Sequence, residues 1–218
     1  NCKAAEFYRN FTQNHLREIY DSGRTGLSFN YQRRLLDGSL HWVHNDLKFL
    51  TDVDSGHLCV MLSAKNIDLE KKQEEKLIEA AKRDQMTMLY NRETTMEYIE
   101  QFLSEYPQSM HALFMIDVDN FKALNDTYGH QVGDEFLIRF AKELRNCFDD
   151  GDIAGRIGGD EFGIILNGNL NESAVLEYIE KIRGIIAEPV EVNGALFRIT
   201  MSYGIAFYPQ DGRSTVEI

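Results

Sequence analysis

Apolar positions along this chain fall into two textures. Over residues 7–20 they recur at Phe7, Phe11, Leu16 and Ile19, the spacing of one helix face. Alternation takes over in residues 28–36, stops at Asp37-Gly38, and resumes in 40–50 with Trp42, Val43, Leu47 and Phe49. After the Asp54-Ser55-Gly56 turn a third extended run covers 58–64. The expectation is a helix followed by a three-stranded antiparallel meander, which is small for a core of its own. Residues 68–83 are dense in Glu and Lys, with Leu77, Ile78 and Ala81 as the apolar positions. They predict an exposed helix with ion pairs at i,i+4 spacing, Glu75 and Glu79 opposed by Lys72 and Lys76.

From Asp84 onward helical and strand periods alternate. Residues 92–106 predict a helix with Met96, Ile99 and Leu103 inward, ending before Pro107. Residues 112–116 are continuously apolar, as in a buried strand. Residues 132–147 carry Val132, Phe136, Leu137, Phe140 and Leu144 on one helical face. A hairpin follows, with apolar flanks over 153–157 and 162–166. Then come a helix over 171–187, through Leu176, Ile179, Ile182 and Ile186, and a long strand over 197–207. On that strand Ile199, Met201, Tyr203 and Ile205 share one face. The β-α-β-β-α-β order predicts an α+β fold, a mostly antiparallel sheet flanked by helices in the split βαβ arrangement.

Bulk properties narrow the function. At 218 residues the chain suits one large domain or two small ones. Its formal net charge of −12 argues against a nucleic-acid partner, because a phosphate backbone demands a basic face. Cys2, Cys59 and Cys147 are scattered, which predicts reduced, mostly buried thiols and a cytoplasmic setting. No stretch approaches the roughly 20 apolar residues that span a bilayer. Asn1 is not an initiator, so an upstream membrane anchor is compatible with the chain. His41, His44 and His57 have no other ligand group spaced with them and read as strand histidines rather than metal ligands.

The candidate chemistry gathers at Arg156-Ile-Gly-Gly-Asp-Glu-Phe162. The Gly-Gly pair predicts a tight turn with positive φ at both positions, delivering Asp160 and Glu161 side by side at the start of a strand. The apolar strand 112–116 ends in Asp117-Val118-Asp119. If it neighbours the hairpin, Asp117 meets Asp160 and Glu161, and such acids repel unless divalent cations lie between them. Oxygen-only ligands near phosphate select Mg²⁺ or Mn²⁺. Asn125 and Asp134 form a polar pair able to read a purine edge. Each acid or amide taken singly also reads as a helix cap, for the helix at 120–124, a helix end at Asn125, or the helix after Gly133.

Together these motifs resemble the GGDEF family of diguanylate cyclases over residues 82–218. The chain shows Asp84-Gln-Met-Thr-Met-Leu-Tyr-Asn-Arg92, Met115-Ile-Asp-Val-Asp-Asn-Phe-Lys122, Asn125-Asp-Thr-Tyr-Gly-His130, Gly133-Asp134, the unaltered signature 158–162 and Met201-Ser-Tyr-Gly-Ile-Ala206. The resemblance implies a palm-like cyclase fold and condensation of two GTP into cyclic di-GMP with release of pyrophosphate. It implies two Mg²⁺ or Mn²⁺ ions per site on Asp117, the Val118 carbonyl, Asp160 and Glu161. Asp160 would accept the hydroxyl proton, Lys122 and Arg156 would meet phosphate, and Asn125, His130, Asp134, Gly158 and Gly159 would line the GTP site. A product built from two GTP further implies a homodimer. The alternative in the same family is a non-catalytic module that binds GTP or cyclic di-GMP and signals by contact.

Departures from the family pattern are local. Met88 and Tyr90 replace a Gly and a common Pro, and Asp149-Asp-Gly-Asp152 lacks the arginine of the family's inhibitory site, so product inhibition there is expected to be absent. The sequence ends before the last helix of the family, which leaves weak GTP binding as the expectation for this stretch. Residues 26–70, including Tyr31-Gln-Arg-Arg-Leu-Leu-Asp-Gly-Ser-Leu-His-Trp-Val43, resemble the C-terminal half of a PAS domain. The expected organisation is a PAS-like sensor portion over 1–67, a helical linker over 68–83 and a cyclase domain over 84–218.

Overall fold

The computed structural model describes residues 12–149, 151–167, 172–187, 189–192, 195–198, 200–214 and 217. Cys2, Phe7, Phe11, Asn171 and Ile199, named above, lie outside these residues, as does the side chain of Ile186. The chain forms two compact units, Asn1–Ile78 and Glu79–Ile218. No described helix is long and apolar enough to cross a membrane.

In the first unit α1 (Gln13–Asp21) starts at Thr12, whose hydroxyl accepts the His15 amide, and buries Ile19. Strands β1 (Gly26–Arg34), β2 (Leu40–Thr51) and β3 (Leu58–Asn66) pair antiparallel in the order β1-β2-β3, as the alternation predicts. Gly38, at φ 87°, supplies the left-handed residue of the first turn, and Asp37 accepts the amide and hydroxyl of Ser39 there. Helix α2 (Asp68–Ala81) is pinned to β2 by its first residue: the Asp68 carboxylate accepts the Trp42 amide at 2.6 Å and the His41 Nδ1–H at 2.6 Å. Its ion pairs fall at i,i+3 rather than the expected i,i+4, Lys71 with Glu74 and Lys82 with Glu79. It buries no residue of its own.

The second unit is built on a four-stranded sheet, order β5-β6-β4-β9, with antiparallel neighbours throughout. Its strands are β4 (His111–Val118), β5 (Ile153–Arg156), β6 (Glu161–Leu166) and β9 (Met201–Tyr208). Alternation along the two central strands divides the core. Ala112, Phe114, Ile116, Phe162, Ile164 and Leu166 meet the apolar stripe of α5 (His130–Asn146), made of Phe136, Leu137, Phe140, Ala141 and Leu144. Val175 and Ile182 of α6 (Glu172–Ala187) join the same cluster. Ile165 and Leu113 point the other way, to Ile99 and Leu103 of α3 (Arg92–Glu105). Each fully buried side chain of this size contributes about 1.5–3 kcal/mol, so this two-sided packing fixes the strand register.

Three expectations need correction. The strand expected over 197–207 is broken: Ala195–Phe197 is β8, paired with β7 (Val190–Val192) in a separate hairpin, and β9 begins at Met201. The helix expected from Val132 begins two residues earlier, at His130, so Asp134 lies within α5 and caps no helix. Among the described residues the Cys59 and Cys147 thiols are free, but Cys59 is exposed and Cys147 half-buried rather than buried.

Candidate functional site

Two acid-bearing segments converge where β4 and β6 end at the same edge of the sheet. Asp117 and Glu161 are directly opposed in the antiparallel register, so both side chains leave the same face. The Val118 amide donates to the Asp160 carbonyl at 3.2 Å, which carries the pairing one step past Glu161. The spatial relation expected between the acid ending the first strand and the acid pair of the hairpin is therefore present. Partial desolvation, followed by the charges of Asp160 and Asp119, holds the Asp117 carboxyl above its ordinary range.

The Gly-Gly turn differs from expectation. Neither Gly158 nor Gly159 takes a left-handed φ. The loop is wider than a two-residue turn: the amides of Ile157 and Gly158 both donate to the Glu161 carbonyl, at 2.8 and 3.3 Å. A Cβ at 158 would meet the Glu161 carboxylate, so a larger residue there displaces that side chain. Arg156 braces the loop from outside, donating to the Gly159 carbonyl through Nε at 3.1 Å and Nη2 at 2.7 Å. Its Nη1 pairs with Asp84 at 3.2 Å and contacts the Met86 sulfur at 3.3 Å. All three guanidinium nitrogens thus bond within the protein.

Asp84 belongs to a turn whose polar residues each have a local task that sequence reading did not assign. Its Oδ1 accepts the Thr87 amide at 2.8 Å and hydroxyl at 2.7 Å. Asn91 caps α3 by accepting the Thr94 amide, and its own amide donates to the Ala81 carbonyl at 2.7 Å. Tyr90 bridges to Gly155 along the outer edge of β5.

After β4 the chain turns through Asn120, in the left-handed region at φ 58°, into α4 (Phe121–Tyr128). Asn tolerates that conformation better than most residues. Lys122 is exposed on the first turn of α4. Asn125 lies on the next turn with its Oδ1 buried and unpartnered among the described residues. That oxygen packs so closely on Gly133 of α5 that any Cβ there would overlap it. An orphaned buried acceptor costs about 1–3 kcal/mol, which an N–H from a ligand would recover. His130 and Asp134 lie exposed on the first two turns of α5. The structure therefore sets Asp117 opposite Glu161, bonds Val118 to Asp160, and packs Asn125 against Gly133 at the α4–α5 junction.

Among the described residues no set of three His, Cys, Asp or Glu side chains closes on one point able to hold a metal ion. The donor set nonetheless fits a hard divalent cation in kind, carboxylate and carbonyl oxygens on adjoining strands. Asp119 is not a spare ligand: its carboxylate is held below the ordinary range by the Thr200 hydroxyl and then that of Ser202. A groove of about 300 Å³ lies beside α4, lined by Asp119, Phe121, Tyr128, Leu196 and Arg198 among others, and it does not include the opposed acids.

The second unit is thus an antiparallel sheet packed with helices, with acids on adjoining strands. The family model described as "Diguanylate cyclase, GGDEF domain" matches residues 81–218, and the chain belongs to that family. Diguanylate cyclase DgcM of Escherichia coli K12 is 34% identical over 198 residues, which is 86% of this chain and 45% of that protein. Diguanylate cyclase A of Treponema denticola is 39% identical over 108 residues, 49% of this chain and 29% of its own length. This chain spans less than half the length of these relatives. Among solved structures, the GGDEF domain of YfiN from Pseudomonas aeruginosa matches with TM-score 0.59 and 28% identity, over 62% of this chain and 80% of that one. The coiled coil and GGDEF domain of DgcB from Caulobacter crescentus, in complex with c-di-GMP, matches with TM-score 0.62 and 25% identity, over 67% and 80%.

Proposed function

We propose that this chain condenses two GTP into cyclic di-GMP with release of pyrophosphate. The observation that carries the reading is the cross-strand opposition of Asp117 and Glu161 with Asp160 beside them. In each half-reaction a ribose 3′-oxygen bonds to an α-phosphorus, the bond from that phosphorus to the β-phosphate oxygen breaks, and pyrophosphate departs. Asp160 takes the hydroxyl proton. Asp117, the Val118 carbonyl, Asp160 and Glu161 would hold Mg²⁺ or Mn²⁺. Such ions, when bound, lower the pKa of the attacking hydroxyl and screen the charge of the leaving group. Asn125 and Asp134 present an acceptor-rich edge to guanine, with His130 beside them. Lys122 faces the phosphates, while the small residues Gly158 and Gly159 leave room for them. Arg156 serves by fixing the turn.

Each site takes one GTP, so the product requires two copies of the domain face to face, and we read α2 as the connector that sets their orientation. Residues 1–67 fit the back half of a PAS-like sensor. In support, Val60, Met61 and Leu62 of β3 are exposed on both faces of the strand, apolar surface that further strands and a helix would cover.

Purified protein incubated with GTP and Mg²⁺ is expected to yield cyclic di-GMP by chromatography and mass spectrometry, and Asp160→Asn to reduce the rate at least ~100-fold. Product that persists at the normal rate in Asp160→Asn removes the catalytic assignment. A second reading, a module that binds GTP or cyclic di-GMP without turnover, draws support from the acids not being closed on one point. GTP binding with no product from the unaltered chain would decide for it.

A further inference from the structure

We infer that Asp119 is a positioning residue that aims the Val118 carbonyl at the acid pair, an inference resting on the metal assignment proposed above. Three contacts tie Asp119 to the chain entering β9. Its amide donates to the Thr200 carbonyl at 2.9 Å, and its carboxylate accepts the Thr200 hydroxyl at 2.6 Å and the Ser202 hydroxyl at 2.7 Å. Both carboxylate oxygens are thereby used, with charge-assisted bonds that are about twice as strong as neutral ones.

The consequence follows from peptide planarity. In a trans peptide the carbonyl of one residue and the amide of the next point in opposite directions. The sheet order puts β9 and β6 on opposite sides of β4. An Asp119 amide directed to Thr200 therefore sends the Val118 carbonyl away from β9, toward β6 and the loop that carries Asp160 and Glu161. The Val118 amide, bonded to the Asp160 carbonyl, points to that same side. Rotation of this peptide would break the amide bond to Thr200 and slacken both hydroxyl contacts. The same clamp fixes where the chain reverses at Asn120, hence the start of the helix bearing Lys122 and Asn125. Of the two acids in Asp117-Val118-Asp119, one faces the site and the other holds the peptide between them in place.

Titrating Mn²⁺ into the full chain without nucleotide, followed by electron paramagnetic resonance, tests this apart from turnover. The double variant Thr200→Val/Ser202→Ala is expected to bind Mn²⁺ roughly 10-fold more weakly, the usual effect of removing a residue that orients a ligand. The hydroxyl-preserving swap Thr200→Ser/Ser202→Thr is expected to restore binding. If the double variant fails to fold by circular dichroism, Ser202→Ala alone serves, with a smaller loss. Independently, the Val118 carbonyl ¹³C resonance is expected to move on adding Mg²⁺ to the parent chain and to move less in the variant. Equal Mn²⁺ affinity in parent and folded variant overturns the positioning role while leaving the metal site intact. No Mn²⁺ binding by the parent chain overturns the metal assignment itself, and this inference with it.

Discussion

Met88 sits at φ 61°, a conformation that costs an L-residue roughly 1–2 kcal/mol and glycine almost nothing. Its amide still donates to the Asp84 carbonyl at 2.8 Å, so the turn is kept despite the side chain. Met88→Gly is therefore expected to raise stability by about 0.5–1 kcal/mol, net of the extra freedom glycine gains when unfolded, read as a higher urea midpoint. Turnover should not change, since Met88 is exposed and the turn already has its required shape. Gly133 presents the opposite case. An alanine inside α5 would ordinarily gain about 0.5–1 kcal/mol, yet its Cβ would overlap the buried Asn125 oxygen. Gly133→Ala should displace Asn125 and raise the KM for GTP roughly tenfold, with the fold retained by circular dichroism. An unchanged KM would remove Asn125 from the guanine site.

Between strand and turn, the Asp84–Arg156 pair joins the segment before α3 to the loop before β6. Burial alone would raise the Asp84 carboxyl, but the Thr87 hydroxyl and amide and the Arg156 guanidinium together hold it below its ordinary value. A depressed carboxylate contributes stability that is fully present above its unfolded value, about 3.9, and is lost as pH falls through the lower folded value. Urea midpoints measured between roughly pH 6 and pH 2.5 should therefore fall on acidification. Asp84→Asn should lower the plateau by about 1–3 kcal/mol and flatten that slope. This contact was illegible in the sequence, because the partners are far apart along the chain and nothing local shows that Arg156 turns inward to bond the protein itself. What was legible rested on period. The apolar run of β4, the stripe of α5 and the hairpin acids all follow from short-range pattern. Period misleads at 197–207, where alternation runs on through Arg198 to Thr200 and hides the break between β8 and β9. There Asp119 claims Thr200, and a tertiary contact overrides local preference. The Gly-Gly signal misled similarly: it marks a turn correctly, but neither glycine is left-handed, and the nearest neighbour of 158 is the Glu161 carboxylate.

Association of two copies is where charge and apolar surface oppose each other. Helix α2 leaves Leu69, Leu77 and Ile78 exposed at 67%, 71% and 52%, surface that a second copy can cover. Against this stands a net charge of −12 on each chain, whose mutual repulsion reaches about 10 Å at 0.1 M ionic strength. Apolar burial is insensitive to modest salt while the repulsion is screened, so adding salt should strengthen pairing. Sedimentation analysis between about 0.05 and 0.3 M NaCl is expected to show the dimer fraction rising, the reverse of an interface held by opposite charges. Specific activity should climb with protein concentration over the same range, because a reaction joining two singly loaded sites needs both copies. Leu77→Ser/Ile78→Ser should shift both curves to higher concentration and leave GTP binding by each copy unchanged. Specific activity independent of concentration in a chain that sediments as a monomer would mean that both nucleotides meet within one copy, and the role given to α2 would fall.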